Sequence, residues 1–382
     1  MKTLSFGGLV ALIAVVVTVL SCTPQAAPTP PMPKTVVSTP QITTLEPPSN
    51  NSPEEQAWAK VVEAAKKEAE VTAYSFDYVG DVGLKLSAAF KNRYGIRLNI
   101  VTGRGSEFLE RLRTEKRLGQ IVADMAEGSA TILLNMKLLG LTAPVPDLPV
   151  LREKDVWELN PLVIDQEAHI ITPVRTVWSA WVNTNLVKPG EEPKLYQDLL
   201  KPQWKGKIVA SDPNLDTTMY TYFVPLIRAN ILTWDYVKAL GSQQLSAVMG
   251  TVQNATMVSR GEYPFSLMNT DNVVAPFIAE GAPVKAVSYQ EGIVESVVPV
   301  AAIQGGPHPN ATKVLINWLL SEEGQTIYGK GKSAAMVRKG VPDFRPPNAR
   351  APATRRVVMT TADLDEQAKL FRERFIEKLW GK

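Results

Sequence analysis

The segment Ile96-Arg-Leu-Asn-Ile-Val101, the turn Gly103-Arg-Gly-Ser106 and the run Glu107-Phe-Leu-Glu-Arg-Leu-Arg-Thr-Glu-Lys-Arg-Leu118 stand in a row. The first is rich in β-branched residues and reads as a strand. The last carries its apolar residues at helical spacing, and the glycine-bearing turn opens that helix. The same order recurs on both sides. Upstream, Glu70–Ser75 reads as a short strand and Leu84–Arg93 as a helix with Leu86, Ala89 and Phe90 inward. Downstream, Ile121–Met125 reads as a buried strand and Ala130–Leu139 as a helix ended by Gly140. Strands alternating with helices in this way predict a parallel α/β sheet. The folded body begins at Ser52, where Pro53 at N1 and Glu55 at N3 complete a capping box ahead of Trp58, Val61, Val62 and Ala65.

From 141 to 170 the pattern loosens around Pro144, Pro146, Pro149 and Pro161. It resumes with strands at Thr176–Asn183, Lys207–Ala210, Pro264–Met268 and Val297–Ile303. Helices follow at Met219–Arg228, Trp234–Leu240, Ala311–Leu320 and, last, Leu364–Leu379. The roughly 330 residues after position 52 exceed what one compact core usually holds, so two α/β lobes are expected. A formal charge of +3, from 41 Lys and Arg against 38 Asp and Glu, is too small to indicate nucleic acid. One cysteine excludes an intrachain disulfide framework and a multi-cysteine zinc site, and two histidines leave little for imidazole-based metal chemistry.

Lys2 precedes an apolar run from Leu9 to Leu20, broken only by Thr18. This run is shorter than the about 20 residues a membrane span needs, so residues 1–21 read as a secretory signal. Val19-Leu20-Ser21-Cys22 resembles the bacterial lipobox, in which the cysteine is lipidated and becomes the mature N-terminus. Residues 22–52 hold eight prolines, no aromatic residue and two charged ones, Lys34 and Glu46. Such a segment buries too little apolar area to fold and is expected to be an extended, disordered tether behind a lipid anchor.

Several phrases in the body carry a resemblance. They are Trp181-Val-Asn-Thr-Asn185, Asp198-Leu-Leu-Lys-Pro-Gln-Trp-Lys-Gly-Lys-Ile208, Ser211-Asp-Pro213, Gly261-Glu-Tyr-Pro264 and Val298-Pro-Val-Ala-Ala-Ile-Gln-Gly-Gly-Pro-His-Pro-Asn-Ala311, followed by Ile316-Asn-Trp-Leu-Leu-Ser-Glu-Glu-Gly-Gln325. Together and in this order, over roughly 55–345, they resemble the extracellular solute-binding proteins of bacterial ABC importers, in the ferric-binding-like branch of the type II periplasmic-binding fold. The resemblance implies an α/β protein of two lobes, with a hinge and an interlobe ligand cleft. Lobe one would hold 53–172 plus 290–338, and lobe two 173–289 plus 339–382. The crossing strands would lie near Thr172–Trp181 and Val284–Val298. It further implies a monomer outside the bacterial cytoplasmic membrane that hands a small-molecule ligand to permease subunits, with no cofactor, no nucleic acid and no catalytic step.

Candidate contacts lie at strand ends and helix starts. Gly105 and Ser106 follow a strand and open a helix, whose free N–H groups and dipole suit an anionic group. Thr217 and Thr218, within Asp216-Thr-Thr-Met-Tyr220, open a helix of lobe two in the same way. Ser75, Phe76 and Asp77 end the first strand, and Ser129 begins the helix after the third. Arg175 could pair a carboxylate near the crossing, and Asn269 follows a strand. Trp178 and Trp181 are expected to pack the hinge. The ferric binders of this family carry two adjacent tyrosines that bind the metal, where this chain has Met219-Tyr220-Thr221-Tyr222. Residues two apart do not share a helix face, so Tyr220 and Tyr222 fit one ion poorly. Tyr220 is instead assigned to an organic ligand. The expected solute is a small organic anion, with ferric iron and a surface-sensor role for the same fold as alternatives. Gly329-Lys-Gly-Lys-Ser333 resembles the tail of a phosphate loop but has Thr326 where the first glycine is required. No Gly-x-Ser-x-Gly elbow is present.

Overall fold

The capping box at Ser52 forms as expected: its hydroxyl takes the Glu55 N–H and the Glu55 carboxylate takes the Ser52 N–H. The computed structural model describes residues 52–215 and 217–380. The secretory signal, Cys22 and most of the tether lie outside the described residues, as does Asp216. The helices are α1 Pro53–Glu68, α2 Asp81–Tyr94, α3 Gly105–Leu118, α4 Ala130–Leu138, α5 Thr218–Arg228, α6 Trp234–Gly241, α7 Gly250–Ser259, α8 Asp271–Ala279, α9 Pro309–Leu319, α10 Glu322–Lys332, α11 Thr361–Arg372 and α12 Phe375–Leu379. The strands are β1 Glu70–Ser75, β2 Arg97–Thr102, β3 Met125–Glu127, β4 Thr142–Ala143, β5 Ile171–Asn183, β6 Ile208–Ser211, β7 Ser246–Val248, β8 Phe265–Thr270, β9 Val284–Val287, β10 Ile293–Ile303, β11 Ala335–Met336 and β12 Arg356–Val358.

The strands form one sheet with central order β2-β1-β3-β10-β5-β8-β6-β7. β1 pairs parallel with β2 and β3, and β6 pairs parallel with β7 and β8. Between these two parallel halves run the longest strands, β5 and β10, antiparallel to each other. β5 pairs through its first half with β10 and through its second half with β8 and β9, so it belongs to both halves of the sheet. Its side chains are almost all buried, as expected of a strand covered on both faces.

Several sequence expectations shift: β5 starts five residues before the expected Thr176 and β10 four residues before the expected Val297. The strand expected over Ile121–Met125 begins only at Met125, because the N–H of Val122 is drawn to the Glu115 carboxylate and the Asp124 carboxylate takes the Thr72 N–H. The last helix, expected over Leu364–Leu379, is broken at Arg374, whose φ of 52° is left-handed and ends one helix before the next begins. The tail nevertheless docks firmly. Trp380 lies on Gly241 so closely that a Cβ there would come within 2.4 Å of its ring, and its indole N–H donates to the Val237 carbonyl at 2.7 Å.

Candidate functional site

Parallel strands in an α/β sheet deliver their carboxyl ends, and the helix starts that follow, to one edge. Both halves of this sheet do so around one cavity of about 250 Å³. Phe76 comes from the end of β1, Ser129 from the N-cap of α4, and Ala130 and Thr131 from its first turn. Thr217, Thr218 and Thr221 come from the start of α5, and Thr251 from the start of α7. Thr270, Asn272 and Val273 come from the β8–α8 junction. The central strands supply Thr176, Trp178, Ser296, Val297 and Val298, and the C-terminal tail adds Met359 and Leu364. The volume corresponds to about eight waters at roughly 30 Å³ each, below the 300–1,000 Å³ usual for drug-sized ligands.

None of the described residues lining the cavity is charged. Its polarity comes from hydroxyls and from the starts of α4, α5 and α7, each of which carries a partial positive charge, whereas the start of α8 carries its own carboxylate, Asp271. Two buried polar atoms on the wall have no hydrogen-bond partner: Nε1 of Trp178, a donor, and Oδ1 of Asn272, an acceptor. Leaving such atoms unpaired is costly, and a ligand that pairs both recovers that cost.

Of the residues the sequence singled out, Phe76, Ser129, Thr217 and Thr218 line this cavity. The others are placed elsewhere, for local reasons. Gly105 and Ser106 open α3, but the Glu107 carboxylate folds back onto the Arg104 N–H and side chain, so this helix start carries its own anion. That contact holds the Glu107 carboxyl below the usual range. Arg175 stands one residue before Thr176 and three before Trp178, an odd offset that puts it on the opposite face of β5, and it pairs with Glu295 at 3.6 Å. Tyr220 is buried in the core, where its hydroxyl accepts from the Ile376 N–H and its ring meets the edge of Phe371. Tyr222 shares a 2.9 Å hydrogen bond with Tyr196. Burial pushes both phenols up, away from the phenolate a ferric ion would need. The helix phase explains this: Thr218 and Thr221 are three apart and share the cavity face, which Tyr220 and Tyr222 do not.

Ser75, Asp77 and Asn269 sit just behind the wall. The Ser75 hydroxyl donates to Glu127 and accepts from the N–H groups of Asp77 and Tyr78. Asp77 pairs with Lys332 at 2.5 Å and takes the Tyr328 hydroxyl at 2.9 Å. Glu127 also accepts from Tyr328 at 2.6 Å. Burial first, and the neighbouring Asp77 second, push its carboxyl up to about 8. Asn269 ties the β8 end to α7 by donating to the Thr251 carbonyl and accepting from the Thr270 N–H.

Trp181, expected to pack the hinge, is buried and donates to the Asn269 carbonyl, whereas Trp178 reaches the cavity. His308 is bonded to Asp124 and His169 to Thr142, and neither lines the cavity. Sequence reasoning passed over Thr131, Thr176, Thr221, Thr251, Asn272, Ser296, Met359 and Leu364. Thr221 was marked by its three-residue spacing from Thr218. Thr251 follows a three-residue strand too short to show as periodicity, and no local pattern marks Met359 or Leu364.

A family model described as bacterial extracellular solute-binding protein matches residues 81–331. The chain belongs to this family. It is 23% identical over 309 residues to iron uptake protein A1 of Synechocystis sp., covering 74% of this chain and 80% of that relative. It is also 23% identical over 209 residues to an uncharacterized protein of Haemophilus influenzae, covering 52% of this chain and 59% of that relative. Its fold is similar to that of iron-bound HitA from Pseudomonas aeruginosa, with a TM-score of 0.63, 19% identity, and coverage of 80% of this chain and 99% of that one. Trichodesmium IdiA (FutA), solved with iron and citrate, matches with a TM-score of 0.65, 18% identity, and coverage of 81% and 98%. AfuA from Actinobacillus pleuropneumoniae, solved with fructose-6-phosphate, matches with a TM-score of 0.62, 20% identity, and coverage of 81% and 97%. This family member thus has the two-lobed type II periplasmic-binding fold and is an extracytoplasmic solute-binding protein of the ABC-importer class.

Proposed function

We propose that this solute-binding protein captures a small organic anion bearing hydroxyl groups and passes it to an ABC permease without a catalytic step. The observation that carries this reading is the cavity. It has no charged group among its described residues, and it is ringed by hydroxyls and by three helix starts, those of α4, α5 and α7, whose dipoles favour a negative ligand. The donor on Trp178 and the acceptor on Asn272 suit a ligand that both accepts and donates, as a hydroxycarboxylate or sugar phosphate does. Lobe one would comprise 53–172 plus 290–338, and lobe two 173–289 plus 339–382. The lobes would close about β5 and β10, a standard hinge motion for binding proteins. Lipid on Cys22 and a tether over 22–52 would hold the monomer on the outer face of the cytoplasmic membrane.

Ferric iron is the second reading, favoured by what several relatives are named for or were solved with. The burial and hydrogen bonding of Tyr220 and Tyr222 argue for the organic anion over direct ferric ligation. The test is thermal unfolding of the purified chain against hydroxycarboxylates, sugar phosphates, neutral sugars and ferric citrate. A ligand at a hundredfold excess over Kd adds about 2.7 kcal/mol. Stabilisation by ferric citrate alone, with a tyrosinate colour, would overturn the proposal. Stabilisation by the hydroxylated anions supports it.

A further inference from the structure

The wall of the cavity includes two residues, Met359 and Leu364, from a segment that lies beyond the 81–331 region matched by the family model. Both are almost wholly buried, at 2% and 1% exposure. The segment is built in from several sides. β12 pairs in parallel with the first residues of β10. Thr360 caps α11 through Asp363, and Asp363 in turn pairs with Arg228 of α5 at 2.8 Å. From the other direction, the Thr361 hydroxyl donates to the Ile164 carbonyl at 2.8 Å, upstream of β5. The tail also takes up two hydroxyls of the wall. Thr221 donates to the buried Gln367 at 3.1 Å, and Ser296 turns to the Met359 sulfur at 3.9 Å. On this side the ligand therefore meets a thioether and an isobutyl group instead of free hydroxyls.

We infer that this C-terminal segment determines specificity, its Met359 and Leu364 forming an apolar subsite that selects anions carrying a short aliphatic portion and fixes the length of that portion. The inference rests on the anion reading above and narrows it. An inorganic oxyanion offers these side chains no apolar surface to pack against. A small hydroxy acid with one to a few carbons beyond the hydroxyl places its aliphatic end against them while its charged end faces the helix starts. A methylene buried there is worth about fourfold in affinity.

The experiment is calorimetric titration of the full chain with straight-chain 2-hydroxy acids of two to six carbons, with inorganic phosphate alongside. Wild type is expected to prefer one length and to bind phosphate at least tenfold more weakly. Met359→Ala and Leu364→Ala are each expected to move the preferred length up by one or two carbons, changing the long-to-short ratio by about fourfold per methylene. Where an alanine variant loses its folded transition, Met359→Leu and Leu364→Val, which nearly keep the volume, carry the same test with a smaller shift. An unchanged length order in variants at both positions overturns the role of the tail and leaves the anion reading standing. Failure of wild type to bind any member of the series overturns this inference, and the anion reading falls with it only where the sugar phosphates and hydroxycarboxylates of the thermal panel also leave the Tm unchanged.

Discussion

Arg345→Met probes how the tail holds the cavity together. The Arg345 guanidinium meets Asp271 at 2.5 Å and Asp343 at 2.7 Å, and the Arg345 and Asp271 side chains are only 8% and 3% exposed. Asp271 is the first residue of α8. Its other oxygen takes the N–H of Val177 in β5 and that of Asn272 on the cavity wall. Removing one partner of such a buried pair strands the other and costs about 3–5 kcal/mol. Unfolding entropy near 2.1 cal/mol/K per residue gives about 0.7 kcal/mol/K for roughly 330 residues, so the expected fall in Tm is about 4–7 °C. The loss must depend on pH. Burial pushes the Asp271 carboxyl above its ordinary value of 3.8, against the opposing pull of Arg345 and the two N–H groups. Without the guanidinium it rises further. At pH 8 folding then has to bury an unpaired carboxylate or take up a proton, whereas only well below 3.8 is the group protonated in both folded and unfolded states, so the loss shrinks as pH falls from 8. Differential scanning calorimetry at pH 5 and pH 8 should show the larger deficit at pH 8, partly recovered by adding Asp271→Asn. A fall below about 1.5 °C, or one equal at both pH values, would refute the reasoning.

Glu127 supplies a second pH dependence with its own sign. Its folded pKa of about 8 exceeds the ordinary 4.5, so the folded state holds the proton more tightly and stability falls as pH rises from about 4.5 to about 8. Urea unfolding across that window should show Glu127→Gln gaining on wild type toward pH 8, and a constant difference would rule this out. Trp178→Phe removes the unpaired indole N–H from the cavity wall. Titration should show about fivefold weaker ligand binding, near 1 kcal/mol. The pair Tyr220→Phe and Tyr222→Phe should lose about 1 kcal/mol of stability per hydroxyl while binding the same anion with unchanged affinity. Loss of binding in both variants would place the phenols in the site and restore the ferric reading.

The first three strand–helix repeats were legible because β-branched strands, amphipathic helices and glycine stops are local signals, although tertiary contacts moved the third strand from 121–125 to Met125–Glu127. Ser129, Thr217 and Thr218 were legible for the same reason: in a parallel sheet, a hydroxyl at the start of a helix that follows a strand faces the carboxyl edge. Gly105 and Ser106 obey the same local rule yet do not line the cavity. Glu107 two residues on, and the outer position of β2 in the sheet, take their helix start out of the site. The face of β5 could not be assigned from its own residues. Arg175 and Trp178 stand in a strand buried on both sides, where alternation no longer separates core from cleft.

The sequence by itself determined that the chain has the strand and helix pattern of an α/β protein after a short apolar run and a proline-rich stretch, and which helix starts could offer hydroxyls to a ligand. Those properties reside in neighbouring residues, where spacing and residue type suffice. Only the tertiary structure decided that four helix starts from both halves of the sheet meet around one cavity whose described lining residues carry no charge. It alone turned Tyr220 into the core and brought Met359 and Leu364 across to the cavity wall. Those outcomes depend on strand order and on contacts between residues more than a hundred positions apart, such as Thr361 with Ile164, and no local pattern encodes that distance.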